Sequence, residues 1–257
     1  MLCLKFQILS RSEMEIEMLV EGISPALANA LRRAMMTEVP TMCIDDIEVF
    51  ENSSSLYDEI LAHRLGLIPL KTDLENYVLP EECRCEGRGC SSCSLTFILD
   101  REGPGTVHSG DLQSEDPRIF PVSDDIPIVK LAEGERIRMQ CTAVLGKGLV
   151  HAKWQPGVVS YKMVHQVEVP DGCDAAVVEK CTRGVFGLED GRVAVKDTTR
   201  CNLCGICRKL CPDIKISTRS DRFVFRIESN GSLPADAIFF KAVEALKSKA
   251  EEFSEKI

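Results

Sequence analysis

The sequence predicts an α+β protein whose two terminal segments build one split domain around a mainly-β insertion and a cysteine-rich insertion. Three observations carry this reading. Each end is a strand-plus-helix fragment too small to close a core alone. The stretch from 41 to 167 holds short β-like runs separated by Gly, Pro and acidic turns. Most of the thirteen cysteines fall into two dense groups, one in each insertion.

In chain order, Leu2, Leu4, Phe6 and Ile8 alternate onto one face. After a polar turn at 10–13, Met14, Ile16, Met18 and Val20 do the same, which predicts a β-hairpin with one buried face. Ser24-Pro25 reads as an N-cap followed by proline at the first helical position. Leu27, Ala30, Leu31 and Ala34 supply the apolar stripe of a helix reaching about Thr37.

Between the ends, "FILD", "RIRMQCTAVL" and "VVSYKMVHQVEV" are the strand candidates of the 41–167 region, and 168–217 is the cysteine-rich segment. At the far end Phe223, Phe225 and Ile227 alternate on a strand, "SNGS" turns, and Pro234 opens a helix. Its stripe of Ile238, Phe239, Ala242, Val243, Leu246, Ala250 and Phe253 is wider than packing on a single sheet needs. Segments 1–40 and 218–257 are therefore expected to form the split domain.

At 257 residues the chain can bury a sizeable core. Its net charge of −9 leaves no broad basic surface, so direct DNA binding is not expected and protein partners are. No apolar run approaches the ~20 residues that cross a bilayer. Charges interrupt the N-terminal residues, which rules out a signal-peptide pattern and gives a cytoplasmic expectation. In that compartment many cysteines point to metal ligation more than to a disulfide framework.

Residues 201–212, "CNLCGICRKLCP", carry C-x₂-C-x₂-C-x₃-C-P spacing. In two-cluster ferredoxins such a triplet holds one iron–sulfur cluster, and the fourth Cys of the run reaches the other cluster. The fourth ligand for Cys201, Cys204 and Cys207 should then come from another half-repeat. Cys181 stands at that position. Counting back from it at the same spacing meets Asp171, Asp174 and Val177, which are not cluster ligands, so one [4Fe–4S] cluster on Cys181, Cys201, Cys204 and Cys207 is expected. Cys211 is the alternative fourth ligand; otherwise it and Cys173 are left over as free thiols, a redox-sensitive pair or relics.

The other group, "CRCEGRGCSSC", sets Cys83, Cys85, Cys90 and Cys93 on one short glycine-bearing loop. Four thiolates so close suit a closed structural zinc site. Another metal, a redox pair and solvated thiols are the competing readings. Cys3, Cys43 and Cys141 sit in apolar patterns and read as small core residues.

Nothing else suggests catalysis. There is no G-x-G-x-x-G and no Walker A sequence. His63, His108, His151 and His165 share no metal-ligand spacing, and His63 reads as a helix-face or interface residue. Asp45-Asp46 and Asp124-Asp125 read as solvated turn or edge residues. One of Arg32 and Arg33 must face outward, toward solvent or a partner.

"NALRRAMMTEVPTMCIDDIEVFENSSSLYDEILAHRLGLIPL" (29–70), "HAKWQPGVVSY" (151–161) and "FVFRIESNGSLPADAIFFKAVEALKSKAEEF" (223–253) resemble, in order, the α-like subunits of cellular RNA polymerases. That family comprises the larger α-like subunit of archaeal polymerases, its eukaryotic third-largest-subunit counterparts and bacterial α. The iron–sulfur segment makes the resemblance sharpest on the archaeal side, and the 83–93 loop resembles the zinc loop of the eukaryotic relatives.

The resemblance implies a split dimerisation domain with an inserted β domain and a ferredoxin-like insertion. It implies a non-catalytic scaffold role in DNA-directed RNA polymerase. The implied partners are the small α-like subunit L, subunits N and P, and the second-largest catalytic subunit. Asn29, Leu31, Arg32, Phe239, Val243 and Leu246 are the interface residues it implies. The competing reading is an iron–sulfur electron-transfer subunit of a redox complex.

Overall fold

A computed structural model describes residues 4–256. Leu2 and Cys3, expected on a strand face and in a core position, lie outside the described residues. The chain runs β1 (Lys5–Arg11), β2 (Glu15–Glu21), α1 (Pro25–Thr37), β3 (Pro40–Asn52), α2 (Asp58–Gly66), β4 (Ser94–Glu102), β5 (Gly105–His108) and β6 (Gln113–Ser114). It continues through β7 (Pro127–Leu131), β8 (Arg136–Lys147), β9 (Gly157–Glu168), α3 (Ala176–Lys180) and β10 (Phe186–Glu189). The last elements are β11 (Arg192–Val195), α4 (Ile206–Leu210), β12 (Lys215–Ser229) and α5 (Ala235–Glu255). The fold is α+β, and two compact units divide it.

One unit contains the described residues up to Arg11, Ile16–Ala30 and Ser160–Arg226. Its sheet has the order β1-β2-β12-β9, so the N-terminal hairpin lies beside the C-terminal strand. The hairpin turn closes where Ser12 N–H donates to the Glu15 carbonyl at 2.7 Å and Glu15 N–H donates back to Ser12 Oγ at 2.9 Å. Ile16, Met18, Val20, Phe223 and Phe225 are all buried, but Leu19 and Val224 on the opposite face are buried too, packed with Val164, so these central strands are covered on both faces and not on one as expected. The Tyr161 ring stands 5.6 Å from Phe223 and 5.4 Å from Phe225. Burying each of these phenylalanines contributes about 1.5–3 kcal/mol.

β1 departs from the expectation. Leu4, Phe6 and Ile8 are 52%, 52% and 55% exposed, because β1 is the edge strand and its apolar row is left uncovered. β9 also differs: sequence pattern groups its residues with the inserted β region, yet they pair here in the terminal sheet. Residues 168–217 fold as the β10–β11 hairpin and the two short helices α3 and α4. Their core is Val167, Val177, Val185, Phe186 and Ile214.

α1 begins as its sequence dictates, with Leu27 N–H donating to Ser24 Oγ at 3.2 Å. Its buried residues are Ala28, Leu31, Ala34 and Met35, while Leu27 is 45% exposed, so the inward stripe is rotated by one residue from the expected one.

The other unit contains Leu31–Val159 and the described residues from Ile227 on, with the short segment Ser12–Glu15. An antiparallel sheet of order β3-β8-β4-β6 is its frame, and β5 pairs with β7. Met42, Leu61, Leu65, Phe97, Leu99 and Met139 belong to one buried core spanning the sheet and α2. Cys43 and Cys141 are buried thiols, as their apolar settings imply, and burial pushes both up to about 12.

The "HAKWQPG" turn locks onto this sheet through Trp154, whose Nε1–H donates to the Val144 carbonyl at 3.3 Å. Gly146 lies beneath the indole, where a Cβ would stand 2.3 Å from the ring, so only glycine fits. Lys153 Nζ covers the same ring at 4.4 Å and reaches Asp45 Oδ1 at 2.6 Å.

Candidate metal centres

The 83–93 loop is built by turns that bring side chains inward at short range. Gly87 and Gly89 have φ of +73° and +81°, and Glu86 holds +56°, a left-handed setting that costs a non-glycine residue about 1–2 kcal/mol. Cys93 N–H and Ser94 N–H both donate to the Cys90 carbonyl at 2.9 Å, forming a knuckle.

The four sulfurs lie within 4.8 Å of one another. Cys83–Cys90 and Cys83–Cys85 are 3.5 Å apart, Cys85–Cys93 3.4 Å and Cys90–Cys93 3.8 Å. Zinc–sulfur bonds of about 2.3 Å in a tetrahedron demand sulfur–sulfur edges of about 3.8 Å, so the donor set fits one such ion. Side-chain hydrogen bonds with Cys93 and then Cys83 lower the Cys85 pKa to about 6. Burial pushes Cys93 up to about 12. The loop thus has a thiolate-forming ligand at one corner and a proton to expel at another, as metal capture at a thiol site requires.

The second group is wider. Cys181, Cys201, Cys204 and Cys207 all line one cavity, walled by Val167, Val185, Phe186, Ile206 and Ile216. Cys181 caps the C-terminus of α3, Cys201 and Cys204 come from the loop entering α4, Cys207 sits in the first turn of α4, and the loop backbone is left-handed at Leu203 (φ +59°) and Gly205 (φ +75°). Asn202 Oδ1 accepts from Cys204 N–H at 3.3 Å, which fixes the turn between two of the thiols. Burial raises the Cys207 pKa, and the neighbouring charges of Cys201, Cys204 and Cys181 add to it.

Among the described residues only the 83–93 thiols are already gathered as a set that could hold a metal ion; the other four share the lining of one cavity. Four thiols spread around an apolar cavity fit a multi-iron core better than a single ion. Cys211 is not part of that lining; it forms a disulfide with Cys173, 38 residues away. Sequence leaves that pairing open, since spacing alone does not join two such distant thiols.

The expected interface residues fall at different depths. Asn29 and Val243 are exposed, Arg32, Phe239 and Leu246 are half-buried, and Leu31 is only 7% exposed within its own chain. On α5, Ala235, Ile238 and Ala242 are buried, whereas Phe240 and Phe253 are 63% and 67% exposed. His63 is exposed on α2 and faces a cleft of about 270 Å³ shared with Asp45, Asp46, His151 and Lys153. Of the described residues, no helix is long and apolar enough to cross a membrane.

Against known proteins, residues 46–160 match the RNA polymerase Rpb3/RpoA insert domain. The whole chain is similar to DNA-directed RNA polymerase subunit Rpo3 of Archaeoglobus fulgidus, 40% identical over 97% of this chain and 96% of that protein. It is likewise similar to the Rpo3 subunits of Methanosarcina mazei (40%) and Pyrococcus horikoshii (38%), each covering 97% of this chain and 96% of the relative.

Proposed function

Because the chain belongs to the Rpo3 family of α-like subunits of DNA-directed RNA polymerase, we propose that it is a non-catalytic assembly subunit of an archaeal polymerase. It is the larger of the two α-like subunits of that enzyme. The end-to-end identity with the Rpo3 subunits carries this reading. It pairs with the small α-like subunit L, joins subunits N and P, and presents the second-largest catalytic subunit with a docking platform. Nucleotidyl transfer takes place elsewhere in the enzyme, and the protein works in the cytoplasm.

The uncovered apolar rows support the pairing. α5 keeps Val243 and Phe253 in solvent, and β1 keeps Leu4, Phe6 and Ile8 there. Scattered exposed apolar residues are ordinary, but a continuous helical stripe is the mark of an unfilled interface. In this reading 1–40 with 218–257, joined by β9, is the dimerisation domain, the rest of 41–167 the inserted β domain and 168–217 the iron–sulfur domain.

Cys83, Cys85, Cys90 and Cys93 hold a structural zinc. Cys181, Cys201, Cys204 and Cys207 hold one [4Fe–4S] cluster, and the Cys173–Cys211 bond supports Cys181 over Cys211 as the fourth ligand. Bound there, the cluster would supply covalent crosslinks between α3 and the segment at the start of α4. The redox-subunit reading is not favoured.

The test is association. Val243→Glu with Leu246→Glu places two charges on the stripe, at one exposed and one half-buried position, and circular dichroism of the double variant checks that the chain still folds. Copurification with co-expressed small α-like subunit should weaken ~10-fold or more. Wild-type recovery of that partner by the double variant would sink the pairing.

A further inference from the structure

The cavity shared by Cys181, Cys201, Cys204 and Cys207 is otherwise walled by apolar groups and Asn202, with one exception. Arg183 lines it too, and it is the only charged side chain besides the thiols among the described residues that do so. Arg183 makes no ion pair among the described residues, whereas Arg192 of the same unit pairs with Asp171 at 3.4 Å. Arg200 stands close by: its Nη1 is 3.5 Å from where a Cβ on Gly184 would sit. Arg183 thus brings a positive charge to the rim of a cavity lined by four thiols, with solvent and no carboxylate of the described residues to answer it.

We infer that Arg183 is the counter-charge to the iron–sulfur cluster and raises its reduction potential. The inference rests on the assignment of a [4Fe–4S] cluster to these four cysteines. Four thiolates give a [4Fe–4S]²⁺ core a net charge of −2, and one-electron reduction takes it to −3. No bond is made or broken in that step; an electron arrives from a low-potential chemical reductant. A fixed positive charge at the rim favours the more negative state, since cluster potentials respond to nearby charge, hydrogen bonding and solvent exposure. Because Arg183 is itself exposed, its influence passes partly through water and is screened by salt. Arg183 is therefore a tuning residue, not a ligand.

The experiment is a dithionite titration of the anaerobically purified full chain in complex with its small α-like partner. It is followed by electron paramagnetic resonance, with iron and sulfide assayed on the same samples. Arg183→Gln should keep four irons per chain and shift the midpoint to a more negative value, and the gap from wild type should narrow as ionic strength rises. Arg183→Lys should stay near wild type, and Arg192→Gln, which removes a paired cation, should not move it.

Full iron with an unshifted midpoint in Arg183→Gln overturns the assignment while leaving the cluster reading intact. So does an equal shift in Arg192→Gln. If Arg183→Gln loses its iron, Arg183→Lys decides: wild-type iron and midpoint uphold the charge role, and loss there too overturns it in favour of packing. Absence of iron and sulfide from the wild-type complex overturns both readings at once.

Discussion

The two cysteine groups differ in how their ligands are spread along the chain, and their geometry follows from that difference. Cys83, Cys85, Cys90 and Cys93 come from a single loop, so short gaps and left-handed turns crowd their sulfurs to 3.4–3.8 Å. Cys181 lies twenty positions before Cys201, and the β10–β11 hairpin falls between them. It meets the triplet across a cavity with apolar walls and not in a knot. A compact loop suits a single small ion, while distant segments arranged round a void suit a larger inorganic core. The comparison also separates what each metal would stabilise: the loop folds only itself, whereas the cluster ties several short elements together.

The largest effect should come from the wider site. Replacing Cys201, Cys204 and Cys207 together by Ser should abolish bound iron and unfold much of 168–217, and it should leave zinc content unchanged. Metal analysis with limited proteolysis reads both. If the polymerase still assembled at wild-type yield in air and under nitrogen, the cluster would have no part in folding the protein for assembly.

Next in size, Cys93→Ser should lose the zinc but keep the iron, and new protease cuts should be confined to 81–93. The pH dependence has a definite sign. Zinc must displace protons from thiols, Cys93 above all, so affinity should rise with pH and the ion should leave on acidification. Metal release that is flat between about pH 8 and about pH 5 would break the four-thiolate assignment.

The smallest of the three is the disulfide. Cys211→Ser opens a bridge of sequence separation 38, for which chain entropy gives a loss of about 2–4 kcal/mol, read by denaturant unfolding of the iron-loaded chain. An accompanying loss of iron would mean that Cys211 is a ligand after all and would blur the contrast between the two sites.

Much of this was legible because it is local. Ser24 and Pro234 announce their helices by the chemistry of helix starts, and the alternation of Phe223, Phe225 and Ile227 declares a strand, although it does not show that Val224 on the other face is buried as well. The tight Cys83–Cys93 group is local in the same sense. What could not be read depends on distant pairings. Alternation in β1 matches that in β2, yet only one row is covered, since periodicity does not say which strand becomes an edge. β9 resembles its β-rich neighbours in sequence, but β12 claims it as a partner. Leu31 belongs both to the expected inward stripe of α1 and to the implied interface, and the chain by itself buries it, since spacing does not divide one helix face between its own core and a partner. The Cys173–Cys211 bond is of the same kind, a contact made by the fold rather than by spacing.

The uneven burial of α5 has a dynamic consequence. From Val243 to Glu255 no residue is buried, and an ion pair between Lys249 and Glu38 ties this stretch to α1's C-terminal flank. Helices without packing are marginal in water, and a surface ion pair adds little. Backbone amides there should exchange with deuterium through local fraying, orders of magnitude faster than those around Ala242, which open only with the domain. A rise in protection along those last three turns would then time the moment at which another subunit settles on the stripe.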